Sequence, residues 1–193
     1  MLAPSPSPAP LPVRGFSLVE MAATIVVIGL LVAFVVPRLR TSSSQAVYEA
    51  ARQVAYDLEA VRERALSTAS ETEVVFDAGT QSYSGYLDTN RDGVFTQSAA
   101  EATALQLFKY RAMAPNVTFG LGSATQMAAF PGTAPITFGN STVTFDTRGL
   151  MAPLGTKGAI YITSPNDPNA VAAVTITGSA YVRVWRWQGG VWR

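Results

Sequence analysis

The sequence predicts an α+β protein, a long N-terminal helix laid against antiparallel β-sheet, and three observations carry that expectation. An uncharged apolar run extends from Met21 to Val36, interrupted only by Thr24 and Gly29. A one-sided stripe follows, in which Val47, Ala51, Val54, Leu58, Val61 and Ala65 recur at spacings of four and three. Beyond Ser70 the chain changes to short β-branched and aromatic runs separated by Gly, Pro, Asn and Asp.

The apolar run sets the first element. Counted from Phe16 it reaches about 21 residues before Pro37, roughly 31 Å of helix, enough to cross a bilayer core. Glu20 stands just inside it, and an ionised carboxylate there costs about 2.5–3.5 kcal/mol, so it calls for a partner. A cut between Gly15 and Phe16 creates one by freeing an α-amino group that is largely protonated near neutral pH. The polar stretch Thr41–Gln45 reads as a loosened part of one helix running from about Phe16 to Ala69. In its second half, Glu49/Arg52 and Glu59/Arg62 form i,i+3 opposite-charge pairs on the more exposed side. The stripe lasts under three heptads, too short for a free-standing coiled coil, so it is read as packing on sheet.

Strands are predicted at Val74–Asp77, Ser82–Leu87, Ala104–Arg111, Asn116–Phe119, Thr142–Asp146, Ala159–Thr163, Val171–Thr177 and Tyr181–Trp187. Residues 120–135 have little period and several Gly and Pro, and read as a loop.

Composition then narrows the function. The chain of 193 residues carries 14 basic and 13 acidic side chains, and loss of Arg14 with a leader would leave it formally neutral. Bulk charge therefore gives no case for nucleic acid. With no cysteine and no histidine, disulfides, thiol chemistry, zinc sites and the usual hydrolase triads are excluded. The chain is read as not an enzyme.

Gly15-Phe16-Ser17-Leu18-Val19-Glu20, followed by its apolar stretch, resembles the class III signal of type IV prepilins and type II secretion pseudopilins. The resemblance implies a prepilin peptidase that cuts after Gly15 and N-methylates Phe16. It implies that Glu20 pairs with the N-terminal amine of a neighbouring subunit during filament assembly, and that Pro37 kinks the helix. It divides the chain into a leader (1–15), a transmembrane and filament-core helix (16–37), an amphipathic helix (38–69) and a β-rich globular domain (70–193). The implied partners are other pilins or pseudopilins, the peptidase and the inner membrane. The implied location is a single-pass inner-membrane protein, leader in the cytoplasm, that passes into an extracytoplasmic filament. Two features depart from the family. The leader has only Arg14 as a positive charge, and Arg38 and Arg40 after the run would by themselves place the C-terminal side in the cytoplasm. A conventional secretory signal fits poorly, because Glu20 spoils its apolar region and no A-x-A site follows Val36.

The segments Val143-Thr144-Phe145-Asp146-Thr147-Arg148-Gly149 and Val174-Thr175-Ile176, with the ending from Gly178 through Val182-Arg183-Val184 to Gly189-Gly190-Val191-Trp192-Arg193, are similar to the GspH/FimT group of minor pilins and pseudopilins. That group has a basic G-R-[VI]-R-like ending, whereas Gly190 stands here in place of its first arginine. The implied role is a minor structural component of a type IV pilus or a secretion pseudopilus.

Two constellations leave alternatives open. Asp88-Thr89-Asn90-Arg91-Asp92-Gly93 matches the opening of a calcium loop, with Asp88, Asn90, Asp92, the Val94 carbonyl and Thr96 as candidate ligands. The twelfth position is Ala99 instead of Glu, so the alternative is a polar turn without cofactor. In the last strand, Tyr181, Arg183, Trp185 and Trp187 alternate on one face and Val182 and Val184 on the other. With Arg186 and Arg193, this outward set suits stacking and phosphate contact on single-stranded DNA, as in minor pilins for transformation. The alternative is a strand whose tryptophans pack and whose arginines are solvated.

Overall fold

The structure is a computed structural model that describes residues 17–35, 42–95 and 111–193. It divides into two compact units, Met1–Thr41 and Ser42–Arg193.

In the first unit, α1 spans Leu18–Val35. Ser17 starts it, its carbonyl accepting from the Met21 N–H at 3.1 Å and its hydroxyl from the Val19 N–H at 3.4 Å. Apolar residues surround the axis with no polar face, and every described side chain from Ser17 to Leu31 is exposed. Its 18 residues reach about 27 Å. Among the described residues no helix is long and apolar enough to cross a membrane. The expected run from Phe16 to Val36 extends past α1 at both ends, and Phe16, Val36 and Pro37 lie outside the described residues.

The second unit begins with α2, Ser43–Thr68, capped by the Ser42 hydroxyl, which accepts from the Gln45 N–H at 3.3 Å. Ala69, in the left-handed region at φ 48°, ends it. The buried side chains of α2 are the six predicted stripe residues and one more, Asp57. Of the two predicted charge pairs, Arg62 meets Glu59 at 3.4 Å, while Glu49 instead accepts from Gln45 at 2.9 Å.

Among the described residues ten strands follow: β1 Thr72–Asp77, β2 Ser82–Leu87, β3 Arg111–Ala112, β4 Thr118–Phe119, β5 Thr142–Phe145, β6 Met151–Ala152, β7 Gly158–Ser164, β8 Asp167–Ile176, β9 Val182–Gln188 and β10 Val191–Trp192. They form two antiparallel sheets, ordered β3-β2-β1-β5-β6 and β10-β9-β8-β7-β4. The chain is thus α+β, a helix packed on antiparallel sheets. Sequence reading places β2 at its observed bounds and omits β6 and β10, two-residue strands too short for a period. Most of the predicted strand Ala104–Arg111 lies outside the described residues, its last residue opening β3.

One core joins α2 to both sheets, with Leu58 and Val61 among Phe76, Phe145, Ile160, Ile162 and Val174. Alternation along β7 and β8 sends the remaining side chains outward, and there Ala159, Tyr161 and Ala173 form a second core with Leu121, Met127, Phe130, Trp185 and Trp192. The loop over 120–135 is therefore a cover on the far side of the second sheet, which leaves β7 buried on both faces. Gly122 makes that cover possible: at φ +51° it passes so near the Pro168 carbonyl that no side chain fits.

Candidate functional site

Glu20 lies in the first turn of α1, where the helix dipole favours a negative charge. Beside it Leu18 is 84% exposed and Val19 74%, while Thr24, one turn on, shares its face. Among the described residues no ion pair involves it. Gly15 and Phe16, where the cut is predicted, lie outside the described residues.

The segment from Asp88 to Gly93 closes on itself. Asp88 is buried, and its two carboxylate oxygens accept from the Arg91 N–H at 2.6 Å and the Gly93 N–H at 2.9 Å. Asn90 donates its amide to Asp92 at 2.8 Å, and Asp92 accepts from the Val94 N–H at 2.8 Å. Arg91, at φ +60°, reaches back to the end of α2 and donates to the Thr68 carbonyl and the Ser70 hydroxyl. A guanidinium at a helix C-terminus meets the negative end of the dipole. The loop borders a cleft of about 340 Å³ shared with Glu71 and Thr147. Among the described residues no three acidic or other ligating side chains converge to hold a metal ion, and Thr96 lies outside them. The hydrogen bonds are those of the polar turn.

The last strand separates its arginines. Thr175 pairs with Arg183 and Ala173 with Trp185, which places both side chains on the face covered by the 120–135 loop. The Arg183 guanidinium lies 3.8 Å from the Trp185 ring centre, and the Trp185 indole N–H donates to the Thr175 hydroxyl at 2.9 Å. Trp192 donates to the Thr125 carbonyl at 2.8 Å and lies against Tyr161 and Trp187. The expectation that this aromatic face stands free in solvent is corrected: the loop packs on it, and Trp185 and Trp192 belong to the second core. Arg186 faces α2, its guanidinium 3.5 Å from the Tyr48 ring centre. Arg193 exchanges both backbone hydrogen bonds with Arg186, at 2.8 and 2.9 Å, and so shares its face. The three candidate DNA contacts are brought to one hairpin and not to one face. Gly189 and Gly190, at φ +58° and +82°, close that hairpin in a two-residue turn that requires positive φ twice, which accounts for glycine at position 190.

Two polar clusters escape sequence reading. Asp57, 3% exposed, accepts from the Tyr83 hydroxyl at 2.6 Å and the Gln53 amide at 3.0 Å, and lies 2.9 Å from Arg111 Nε. Burial, then the bond to Asp57 and its charge, hold the Tyr83 phenol far above its ordinary range, with Arg111 opposing. The signal was available: Asp57 sits between Val54 and Leu58, inside the arc of the apolar stripe. The second cluster is the turn after β5. Asp146 accepts from the Arg148 and Leu150 N–H groups and from the Arg148 guanidinium at 2.7 Å. Burial alone would raise its pKa, but these donors together hold it below the ordinary carboxylate value. They present the Gly149 carbonyl to Arg62 Nε at 2.8 Å, and Gly149, at φ +67°, lies so close to Leu66 that a Cβ would meet it at 2.9 Å. The Asp146–Gly149 segment is thus a clamp on the C-terminal part of α2.

No protein-family model matches this chain, and no curated protein matches it. Among solved structures it is similar to the type IV minor pilin FimU of Pseudomonas aeruginosa, with TM-score 0.45 and 13% identity over 72% of this chain and 87% of that one. It is also similar to the minor pseudopilin EpsH from the type II secretion system of Vibrio cholerae. Two structures of that protein give TM-scores of 0.47 and 0.48 at 13% and 12% identity, covering 72% and 76% of this chain and 94% and 100% of theirs. Such values fix no residue-by-residue correspondence.

Proposed function

We propose that this chain is a minor pilin or pseudopilin, a structural subunit of a type IV pilus or type II secretion pseudopilus. The observation that carries the reading is the junction from Gly15 to Glu20. A single carboxylate opens an apolar helix with no polar face, directly after a peptide bond whose cleavage would supply a cation. Prepilin peptidase cuts between Gly15 and Phe16 and methylates the new amine, the apolar segment holds the chain in the inner membrane, and Glu20 then pairs with the amine of a neighbouring subunit. The role is structural and not catalytic. Intact-mass measurement of membrane-extracted protein tests it: a mature chain beginning at methylated Phe16 is expected, and a start at Met1 or beyond Val36 overturns the reading. Glu20→Gln should leave processing intact and reduce incorporation into sheared filaments, and normal incorporation would remove the proposed role for the carboxylate.

A further inference from the structure

The segment that covers the outer face of the second sheet has a fixed neck and a differently held middle. Both sides of the neck are bonded to the backbone of one residue. The Gly120 N–H donates to the Tyr161 carbonyl at 2.9 Å, and the Tyr161 N–H donates to the Pro135 carbonyl at 2.8 Å. The entry side is docked again where the Ser123 N–H donates to the Pro168 carbonyl at 2.8 Å, with Gly122 close against that same carbonyl. From Thr125 to Ala134 the chain forms no strand, and side chains make the attachment. The Trp192 indole of β10 donates to the Thr125 carbonyl at 2.8 Å, and the Met127 N–H donates to the Tyr161 hydroxyl at 2.9 Å. Met127 and Phe130 add apolar contact with the second core, whose buried members are Ala159, Tyr161 and Ala173. Two of those three are alanines, whereas the main core holds Leu58, Phe76, Phe145, Ile160 and Val174. A segment with few buried apolar contacts and no backbone ladder opens at lower free energy than the sheet beneath it.

From this arrangement we infer that residues 125–134 are a lid, latched by the β9–β10 hairpin through Trp192, that opens about the Tyr161 neck while both sheets stay folded. Opening uncovers Ala159, Ala173 and the Trp185 ring, the apolar outer face of β7, β8 and β9. Trp192 is the latch because it belongs to the hairpin and touches both the lid and the face below. Its ring centre lies 5.6 Å from that of Tyr161 and 5.2 Å from that of Trp187, while its N–H holds Thr125. A contact that shifts the hairpin therefore loosens the lid, and one that holds the hairpin keeps it closed. Access to the aromatic face is thus set from a second place in the fold. The inference rests on bonds within the globular unit and does not depend on the filament reading.

The chain has no cysteine, so a single introduced thiol reports on one position. Ala172 and Ala173 are neighbours on β8 and both are buried, Ala172 in the main core and Ala173 beneath the lid. In the full chain in detergent micelles, Ala173→Cys should react with N-ethylmaleimide about tenfold or more faster than Ala172→Cys under native conditions, because lid opening uncovers the first and leaves the second covered. Adding Trp192→Phe, which keeps an aromatic ring and removes the donor, should speed labelling of Ala173→Cys about fivefold and leave Ala172→Cys unchanged. Amide hydrogen exchange in the unsubstituted chain makes the same comparison without a variant. Corrected for intrinsic rates, the Met127 amide should exchange about tenfold or more faster than those of Ile162 and Val174. Equal labelling of the two thiols overturns the inference, as does Met127 exchange as slow as that of Val174. A Trp192→Phe change that speeds both thiols alike, or neither, overturns the latch.

Discussion

The two helices each carry one carboxylate in an apolar setting, and they treat it differently. On α2, Asp57 is buried within the chain's own core and receives Tyr83, Gln53 and Arg111 from its surroundings. On α1, Glu20 stands in a largely apolar helix and has no ion pair among the described residues. A buried charge persists only where its partners are assembled with it. For Asp57 the fold does the assembling: a helix, a strand and a short edge strand arrive at one point. Nothing in the described part of α1 does this for Glu20.

The difference predicts opposite phenotypes. Asp57→Ala should destabilise the globular unit by about 2–4 kcal/mol in urea unfolding, because it removes the buried carboxylate that meets the Tyr83 hydroxyl and a guanidinium itself about a third exposed. Glu20→Ala should leave that unfolding curve unchanged. An unaltered midpoint for Asp57→Ala would mean that the cluster is dispensable, and the comparison would fail.

A smaller loss is expected where the β5–β6 turn grips the same helix. Gly149→Ala forces a side chain into the left-handed region and against Leu66, at about 1–2 kcal/mol. Circular dichroism melts of Gly149→Ala against Gly155→Ala separate the two causes, since Gly155 also has positive φ but open space around its Cβ. Equal losses would leave Leu66 out of the account.

Acid titration sharpens the contrast further. Asp146 is held below its ordinary value, so its contribution is fully present above the unfolded carboxylate pKa and is lost as pH falls through the lower folded one. Glu73 runs the other way: burial raises its pKa against the Thr144 hydrogen bond, so it opposes folding at neutral pH and that penalty is relieved as pH falls through the raised value. Asp146→Asn should flatten the acid limb of stability against pH, and Glu73→Gln should raise stability slightly at neutral pH. The smallest effect is expected from calcium. With both Asp88 oxygens accepting backbone N–H groups, millimolar calcium should change the melting temperature little, and a rise abolished by Asp92→Ala would support the metal reading over the polar turn.

Much of the fold was legible because period reports burial. All six stripe residues of α2 are buried, and alternation in β9 correctly set Val182 and Val184 opposite Arg183 and Trp185. What alternation does not report is which face receives a cover. The segment over 120–135 has no period of its own, yet Leu121, Met127 and Phe130 close over Tyr161 and Trp185, so a face read as open is packed. Asp57 was missed for a related reason, since a polar residue in an apolar arc counts as an interruption until its partners are seen. Asp88 to Gly93 keeps both of its readings, since the bonds that close the turn leave one acceptor site or more on each Asp88 oxygen.

The buried stripe of α2 runs from Val47 to Ala65 and meets strands of both sheets along that length. A tension applied at Ser42 along the helix would load those contacts together, in shear, and would not peel strands away one after another. The globular unit should therefore yield at higher force when pulled from the start of α2 than when pulled across the β9–β10 hairpin.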